Sequence, residues 1–375
     1  MEKLYNASFG IQYYKEYIQI IVDIFINDNL NYDLTDKNIL NIIGLYYQYK
    51  VEDYDEMKKY YLMAIELNNS NAMFCMGYYY ETICEYDEME KYYLMAIELK
   101  HVDAMFNLGH YYDLLKKYDK MKKYYLMAIK FNNIGSMINL GHYYECIEEN
   151  YSEMKNYYLM AIHLKNSSAM FKLGHFYHYT EMNEVKMIQY YSMAIELKNI
   201  NAMFQLGHFY QYMKKNYNEM KKYYLMAIEF NCRRSMYYLG SYYEEIRYYD
   251  EMKKYYLMAI GFNNTGAMCN LGSYYKNIEK KYDEMKKYYL MAIKLNDKIT
   301  MIYLCDYFNK EYMQHYLLRQ INSIIAIEKI KELEKNNFLG VKIFEELTKY
   351  CFNPQRLLKL CNIYEIELDN YMDMI

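Results

Sequence analysis

Apolar residues recur along this chain in two alternating blocks. The block read at Ala72, Met76 and Tyr80 places them at i, i+4 and i+8, and the block at Met89, Tyr93, Ala96 and Ile97 at i, i+4, i+7 and i+8. Both spacings put their apolar positions on one face of an α-helix, and neither alternates with period two, so helices are predicted and strands are not. The second block is nearly verbatim YDEMKKYYLMAI. Its paired tyrosines begin at Tyr60, Tyr92, Tyr124, Tyr157, Tyr190, Tyr223, Tyr255 and Tyr288, in steps of 32 or 33 residues. The first block carries a glycine at the same period: Gly44, Gly77, Gly109, Gly141, Gly174, Gly207, Gly240 and Gly272.

The links between units read NNSNA, NNIGS, KNSSA and NNTGA. Asn and Gly can end one helix there, and Ser, Thr or Asn can cap the next. Each unit is therefore predicted to be a helical hairpin with arms of about 14 residues. A glycine in mid-helix costs ~1 kcal/mol. Its recurrence opposite Ala64, Ala96, Ala128 and their successors predicts two helix backbones in close approach. A lone hairpin would leave its large Tyr and Met side chains exposed, whereas stacked hairpins bury them in a continuous core that needs special ends.

With both motifs in place, the pattern resembles tetratricopeptide repeats and their relatives, the Sel-one-like repeats. Met76-Gly77-xx-Tyr80 followed by Met89, Tyr93 and Ala96 is similar to the tetratricopeptide signature. Ala104-xxx-Leu108-Gly109-xx-Tyr112, then Met121-xx-Tyr124-Tyr125-x-Met127-Ala128-Ile129, is similar to the Sel-one-like one. The turn within a unit has tetratricopeptide length, and the eight-residue step from Ala96 to Ala104 has Sel-one-like length. The second helix opens with Met where tetratricopeptide repeats carry Ala, and their terminal proline is absent. The resemblance implies an all-α, right-handed α-solenoid with helical caps. It divides the chain into a cap at 1–37, eight repeats over 38–297, and a degenerate ninth repeat with a second cap over 298–375. Arrays of this type also resemble repeat proteins encoded in families by giant DNA viruses.

Composition narrows the chemistry. The chain has 375 residues, 25% of them charged, with 56 Tyr, 31 Met, one Pro and no Trp. A net charge of −4 supplies no electrostatic reason to bind nucleic acid. The apolar run from Ile18 to Ile26 is interrupted by Gln19 and Asp23 and is far shorter than the ~20 residues needed to span a bilayer, so it reads as a buried capping helix and no membrane partner is expected. No basic segment followed by an apolar run suggests a secretory signal, and eight Cys without CxxC spacing suggest reduced thiols in a cytoplasmic protein.

No phosphate loop, GxSxG, HExxH or CxxC spacing appears, so no catalytic residue, metal or cofactor is expected. His142, Glu145 and Cys146 share a helix face at i, i+3 and i+4. A structural zinc site needs four ligands, so a partly buried thiol beside a surface histidine is the expectation there. The carboxylates Asp55, Glu56, Asp87, Glu88, Asp250 and Glu251 open helices and face Lys three residues on, a capping and pairing role.

One column varies beyond the core. The residue after the repeat glycine is Tyr78, His110, His142, His175, His208 and Ser241, and three positions later stand Asp113, Glu145, His178, Gln211 and Glu244. In the families this unit resembles, that face of the first helix lines the concave groove that holds a partner peptide. The histidines, beside acids and Tyr179 or Tyr212, would make it polar, aromatic and pH-sensitive. Duplication of a surface histidine would give the same column without function. The expected function is a non-enzymatic protein-interaction scaffold; a regulator or enzyme with its activity in 298–375 and a purely structural self-associating array are the alternatives.

Overall fold

The computed structural model describes residues 17–295 together with Asp297 and Thr300. The first sixteen residues of the predicted N-terminal cap, and the predicted ninth repeat and C-terminal cap apart from Thr300, lie outside the described residues. The chain divides into two units between Asn199 and Ile200, and each is described by itself.

In the first unit α1 (Ile18–Asn27) precedes five hairpins: α2 and α3 (Lys37–Tyr46, Tyr54–Glu66), α4 and α5 (Ser70–Thr82, Tyr86–Glu98), α6 and α7 (Val102–Leu114, Tyr118–Ile129), α8 and α9 (Ile134–Cys146, Tyr151–His163), and α10 and α11 (Ser167–Tyr179, Glu184–Glu196). The second unit holds α12 and α13 (Ile200–Tyr212, Tyr217–Glu229), α14 and α15 (Arg233–Glu245, Tyr249–Gly261), and α16 and α17 (Thr265–Tyr274, Tyr282–Lys294). Most arms are 13 residues, and the described residues contain no strand. Helix α1 buries Ile21, Ile24 and Phe25 while Ile18 and Ile26 stay exposed, so one face of the predicted capping helix is covered rather than all of it.

The links work as hydrogen-bonded stops and starts. Asn69, Asn133, Asn166 and Asn264 each accept the amide three residues on, at 2.8–2.9 Å, and so occupy a donor that the first turn leaves open. The preceding helices end on a left-handed residue, but glycine does not supply it. Asn68, Lys100, Asn132, Lys165 and Asn263 take φ of 56° to 62°, whereas Gly135 and Gly266 sit inside the first turns of α8 and α16. The acidic pairs behave as the spacing predicts: Glu56, Glu88 and Glu251 pair with Lys59, Lys91 and Lys254 at 2.7–3.0 Å. Such exposed pairs stabilise by only ~0.5 kcal/mol each.

Aromatic rings form the joints. The first tyrosine of each YY pair stacks on the tyrosine three positions after the repeat glycine of the same hairpin, as in Tyr80 and Tyr92 at 5.6 Å and Tyr243 and Tyr255 at 5.6 Å, both 4° from parallel. The tyrosine opening a second helix packs on the next hairpin: Tyr86 on Tyr111 at 5.3 Å, and Tyr249 on Tyr274 at 5.0 Å. Offset pairs of this kind add ~1 kcal/mol beyond the area they bury.

The second tyrosine of each pair explains the glycine. Tyr61, Tyr93, Tyr125, Tyr158, Tyr191, Tyr224, Tyr256 and Tyr289 are fully buried, and each lays its ring across the repeat glycine of its own hairpin. A Cβ at any of those glycines would meet ring atoms at 2.4–2.6 Å. Close approach is thus between a helix backbone and a phenol ring, which corrects the predicted pairing of glycine with Ala64, Ala96 and Ala128. Those alanines are themselves fully buried.

Candidate functional site

The column after the repeat glycine faces outward. In the first unit His110, His142 and His175 are exposed and Tyr78 is half-buried; in the second, His208 and Ser241 are half-buried. The glycine places each of them, because the ring that fills the inward side of the helix leaves the next residue turned away from it. Local aromatic contacts differ. His110 lies 6.4 Å from Phe106 and 8° from parallel to it, and His175 stands 4.4 Å from Tyr179. His208 sits 5.9 Å from Phe204, 4.6 Å from Tyr212 and 5.5 Å from Tyr238. Burial lowers the pKa of both His175 and His208 from the ordinary imidazole value; at His175 Glu145 opposes the shift and Lys172 adds to it.

Three positions further along, the side chains turn toward the core. The buried Tyr93 hydroxyl donates to Glu81 at 2.5 Å, Tyr158 to Glu145 at 2.7 Å, Tyr224 to Gln211 at 2.8 Å and Tyr256 to Glu244 at 2.6 Å. Gln48 does the same for Tyr61 at 2.6 Å. Gln211 is only 7% exposed, which takes it off the surface on which the sequence puts it. Glu145 and Glu244 each set Oε2 against the phenol, and both side chains are half-buried. Burial raises the Glu244 pKa, and the Tyr256 hydrogen bond offsets part of that. Asp113, one methylene shorter, is half-buried near Tyr125, whose hydroxyl accepts from Asn139 at 3.0 Å. His178 forms an edge-to-face pair with Tyr191, 6.3 Å away, and stacks on Tyr179 at 4.2 Å.

A set of residues that the sequence reading passed over completes this layer. Asn107, Asn139 and Asn270, two positions before the repeat glycine, donate to Tyr93, Tyr125 and Tyr256 of the preceding hairpin at 3.0–3.1 Å. Glu81, Tyr93 and Asn107 thus link three helices, as do Glu244, Tyr256 and Asn270. Recurrence of Asn at a constant offset from glycine is the signal that could have found them. In the second unit the Arg234 guanidinium lies 4.4 Å over Phe204 and donates to Asn201 at 2.8 Å.

His142, Glu145 and Cys146 come together as their spacing predicts, but the Cys146 thiol is exposed rather than partly buried, because it sits in the last turn of α8 on the outward face. Nδ1 of His142 is 3.3 Å from Sγ of Cys146 and 3.8 Å from Oε2 of Glu145. The described residues hold no helix long and apolar enough to cross a membrane.

No protein-family model and no curated protein matches the sequence. Solved structures do. A protective antigen present in uropathogenic Escherichia coli strains, displaying an SLR fold, matches at 16% identity and a TM-score of 0.51, over 89% of this chain and 79% of the antigen. A Sel1 repeat protein from Oxalobacter formigenes matches at 23% identity and a TM-score of 0.46, over 58% of this chain and 98% of its own. Yeast Tom70 matches at 16% identity and a TM-score of 0.41, over 93% of this chain and 66% of its own. The likeness to the antigen shows the fold: this chain is an all-α array of repeated helical hairpins of the SLR kind.

Proposed function

We propose that the chain is a non-enzymatic interaction scaffold, holding a peptide or helix of a partner protein against the first-helix faces of its hairpins. A cytoplasmic setting, between viral and host proteins, belongs to the same reading. The observation that carries it is the contrast between two neighbouring columns. The glycine and the buried tyrosine behind it are the same in every hairpin, while the next residue outward runs Tyr78, His110, His142 and His175 through the first unit and His208 and Ser241 through the second. A constant frame with a varied outer column suits recognition of a partner whose side chains differ along its length. Exposed imidazole and phenol groups suit it too, since they offer apolar area and hydrogen bonds at little entropic cost.

The test uses the full chain as bait, with partners identified by mass spectrometry and the tightest one purified. Replacing His110 and His175 together by Ala weakens that partner tenfold or more, as loss of a small group of anchoring side chains does. Replacing Lys123, exposed on the second helix α7, leaves it unchanged. Full binding by the histidine variant with loss in the Lys123 variant would move the interface to the opposite face.

A further inference from the structure

The three side chains gathered at the C-terminal end of α8 do more than share a face. Their ligand atoms, Nδ1 of His142, a carboxylate oxygen of Glu145 and Sγ of Cys146, all lie within 4.8 Å of one another. Tetrahedral zinc, with bonds of about 2.0–2.1 Å to nitrogen, 2.0–2.2 Å to oxygen and 2.3 Å to sulfur, requires an N···S edge of about 3.6 Å and an N···O edge of about 3.4 Å. The observed separations of 3.3 and 3.8 Å fall within a few tenths of an ångström of those edges. The O···S edge, which needs about 3.6 Å, is at most 4.8 Å here, and rotation about the side-chain bonds would close it.

Two further features favour an ion. Glu145 is held in place: the hydroxyl of the buried Tyr158 donates at 2.7 Å to Oε2, the same oxygen that lies 3.8 Å from His142 Nδ1, and the Tyr158 ring is fixed against Gly141. Carboxylate ligands of metals are commonly braced by such an outer hydrogen bond, which removes the entropy of orienting them. His142 and Cys146 are exposed, so an ion has access from solvent. The corresponding positions in α6 are His110, Asp113 and Leu114, which lack the thiol.

We propose that His142, Glu145 and Cys146 form a three-ligand site for a divalent zinc-class ion, with water in the fourth position. Three protein ligands and one open position are the pattern of accessible zinc sites, so the fourth protein ligand that a closed structural site requires is not needed here. The donor set of one imidazole, one carboxylate and one thiolate selects zinc or cobalt(II) over magnesium and calcium, which prefer oxygen alone. On binding, the Cys146 S–H bond breaks and its proton leaves to solvent, the sulfur gives its electron pair to the metal, and His142 binds through neutral Nδ1.

The experiment titrates reduced full-length chain with cobalt(II), following the near-ultraviolet thiolate-to-cobalt absorption, and then displaces the cobalt with zinc. One ion binds per chain, and Cys146→Ser abolishes the thiolate absorption. His142→Ala and Glu145→Gln each weaken binding about tenfold or more, and Cys84→Ser, which removes another exposed thiol, changes neither readout. These positions are exposed or half-buried, so far-ultraviolet circular dichroism is expected to be the same for every variant. Thiolate absorption that survives in Cys146→Ser, or equal affinity across all the variants, would overturn the site, as would no saturable binding by the parent chain.

Discussion

The ring of Tyr125 occupies the space in which a side chain on Gly109 would begin: a Cβ built there meets Cδ1 at 2.6 Å and Cε1 at 2.8 Å. Tyr125 is fully buried, so the ring has nowhere to retreat. Gly109→Ala therefore gains ~1 kcal/mol of helix propensity but forces a Cβ onto a ring that cannot move away, an overpacking cost toward the upper end of the usual range of about 1–3 kcal/mol, for a net destabilisation of up to about 2 kcal/mol. Gly261 supplies the contrast, because a Cβ there meets nothing within 4 Å. Gly261→Ala, at the exposed end of α15, stabilises by up to ~1 kcal/mol. Urea midpoints of the two variants should move in opposite directions, and a shared direction would refute the steric account of the repeat glycine.

The polar layer predicts a second contrast. Tyr93→Phe leaves Glu81 and Asn107 without the hydroxyl that joins them, at a cost of about 1–3 kcal/mol. The Tyr191 hydroxyl is buried with no hydrogen-bond partner among the described residues, so Tyr191→Phe should be neutral or stabilising. Equilibrium denaturation of the two variants distinguishes the cases, and equal losses would deny the hydrogen bonds their role.

A pH effect follows from one helix cap. His101 stands where Asn69, Asn133 and Asn166 cap the equivalent helices. Its Nδ1 accepts the Ala104 amide at 3.3 Å, its Nε2 lies 3.1 Å from Asn71 Oδ1, and its ring stacks 4.6 Å from Phe74. Burial pushes its pKa down from 6.5 to about 4, with Asp103 opposing. Above pH 6.5 the ring is neutral in both folded and unfolded chains and its contribution is complete. As the pH falls from 6.5 to about 4 the unfolded chain binds a proton that the native chain does not, so stability is lost, on the order of 3 kcal/mol in all. His101→Asn keeps a capping oxygen and removes the titration. At pH 5 the variant should gain about 2 kcal/mol relative to the parent chain compared with its standing at pH 7. A constant difference between the two across that range would contradict this.

Much of the architecture was legible in the sequence because each hairpin repeats the same surfaces, so helical periodicity and the Asn caps could be read from several copies at once. The partner of the glycine was not. Opposite Gly109 the sequence offers Ala128 and Tyr125 on the same helix face, and only the crossing of α6 and α7 decides that the ring takes the space. The same crossing turned Gln211 inward and gave Glu145 and Glu244 a phenol donor, where helix periodicity alone places them beside the outward histidines. Lys100 and Lys165 in left-handed links were also hidden, since neither residue announces a positive φ. The convergence of His142, Glu145 and Cys146 was readable, because i, i+3 and i+4 on one helix fix proximity without any tertiary information.

The most direct measurement of the central claim is hydrogen–deuterium exchange of the full chain with and without its purified partner. A partner held on the first-helix faces slows exchange in peptides from α4, α6, α8 and α10 of the first unit, or α12 and α14 of the second, and leaves α5, α7, α9 and α13 unchanged. Protection confined to the second helices would contradict the account.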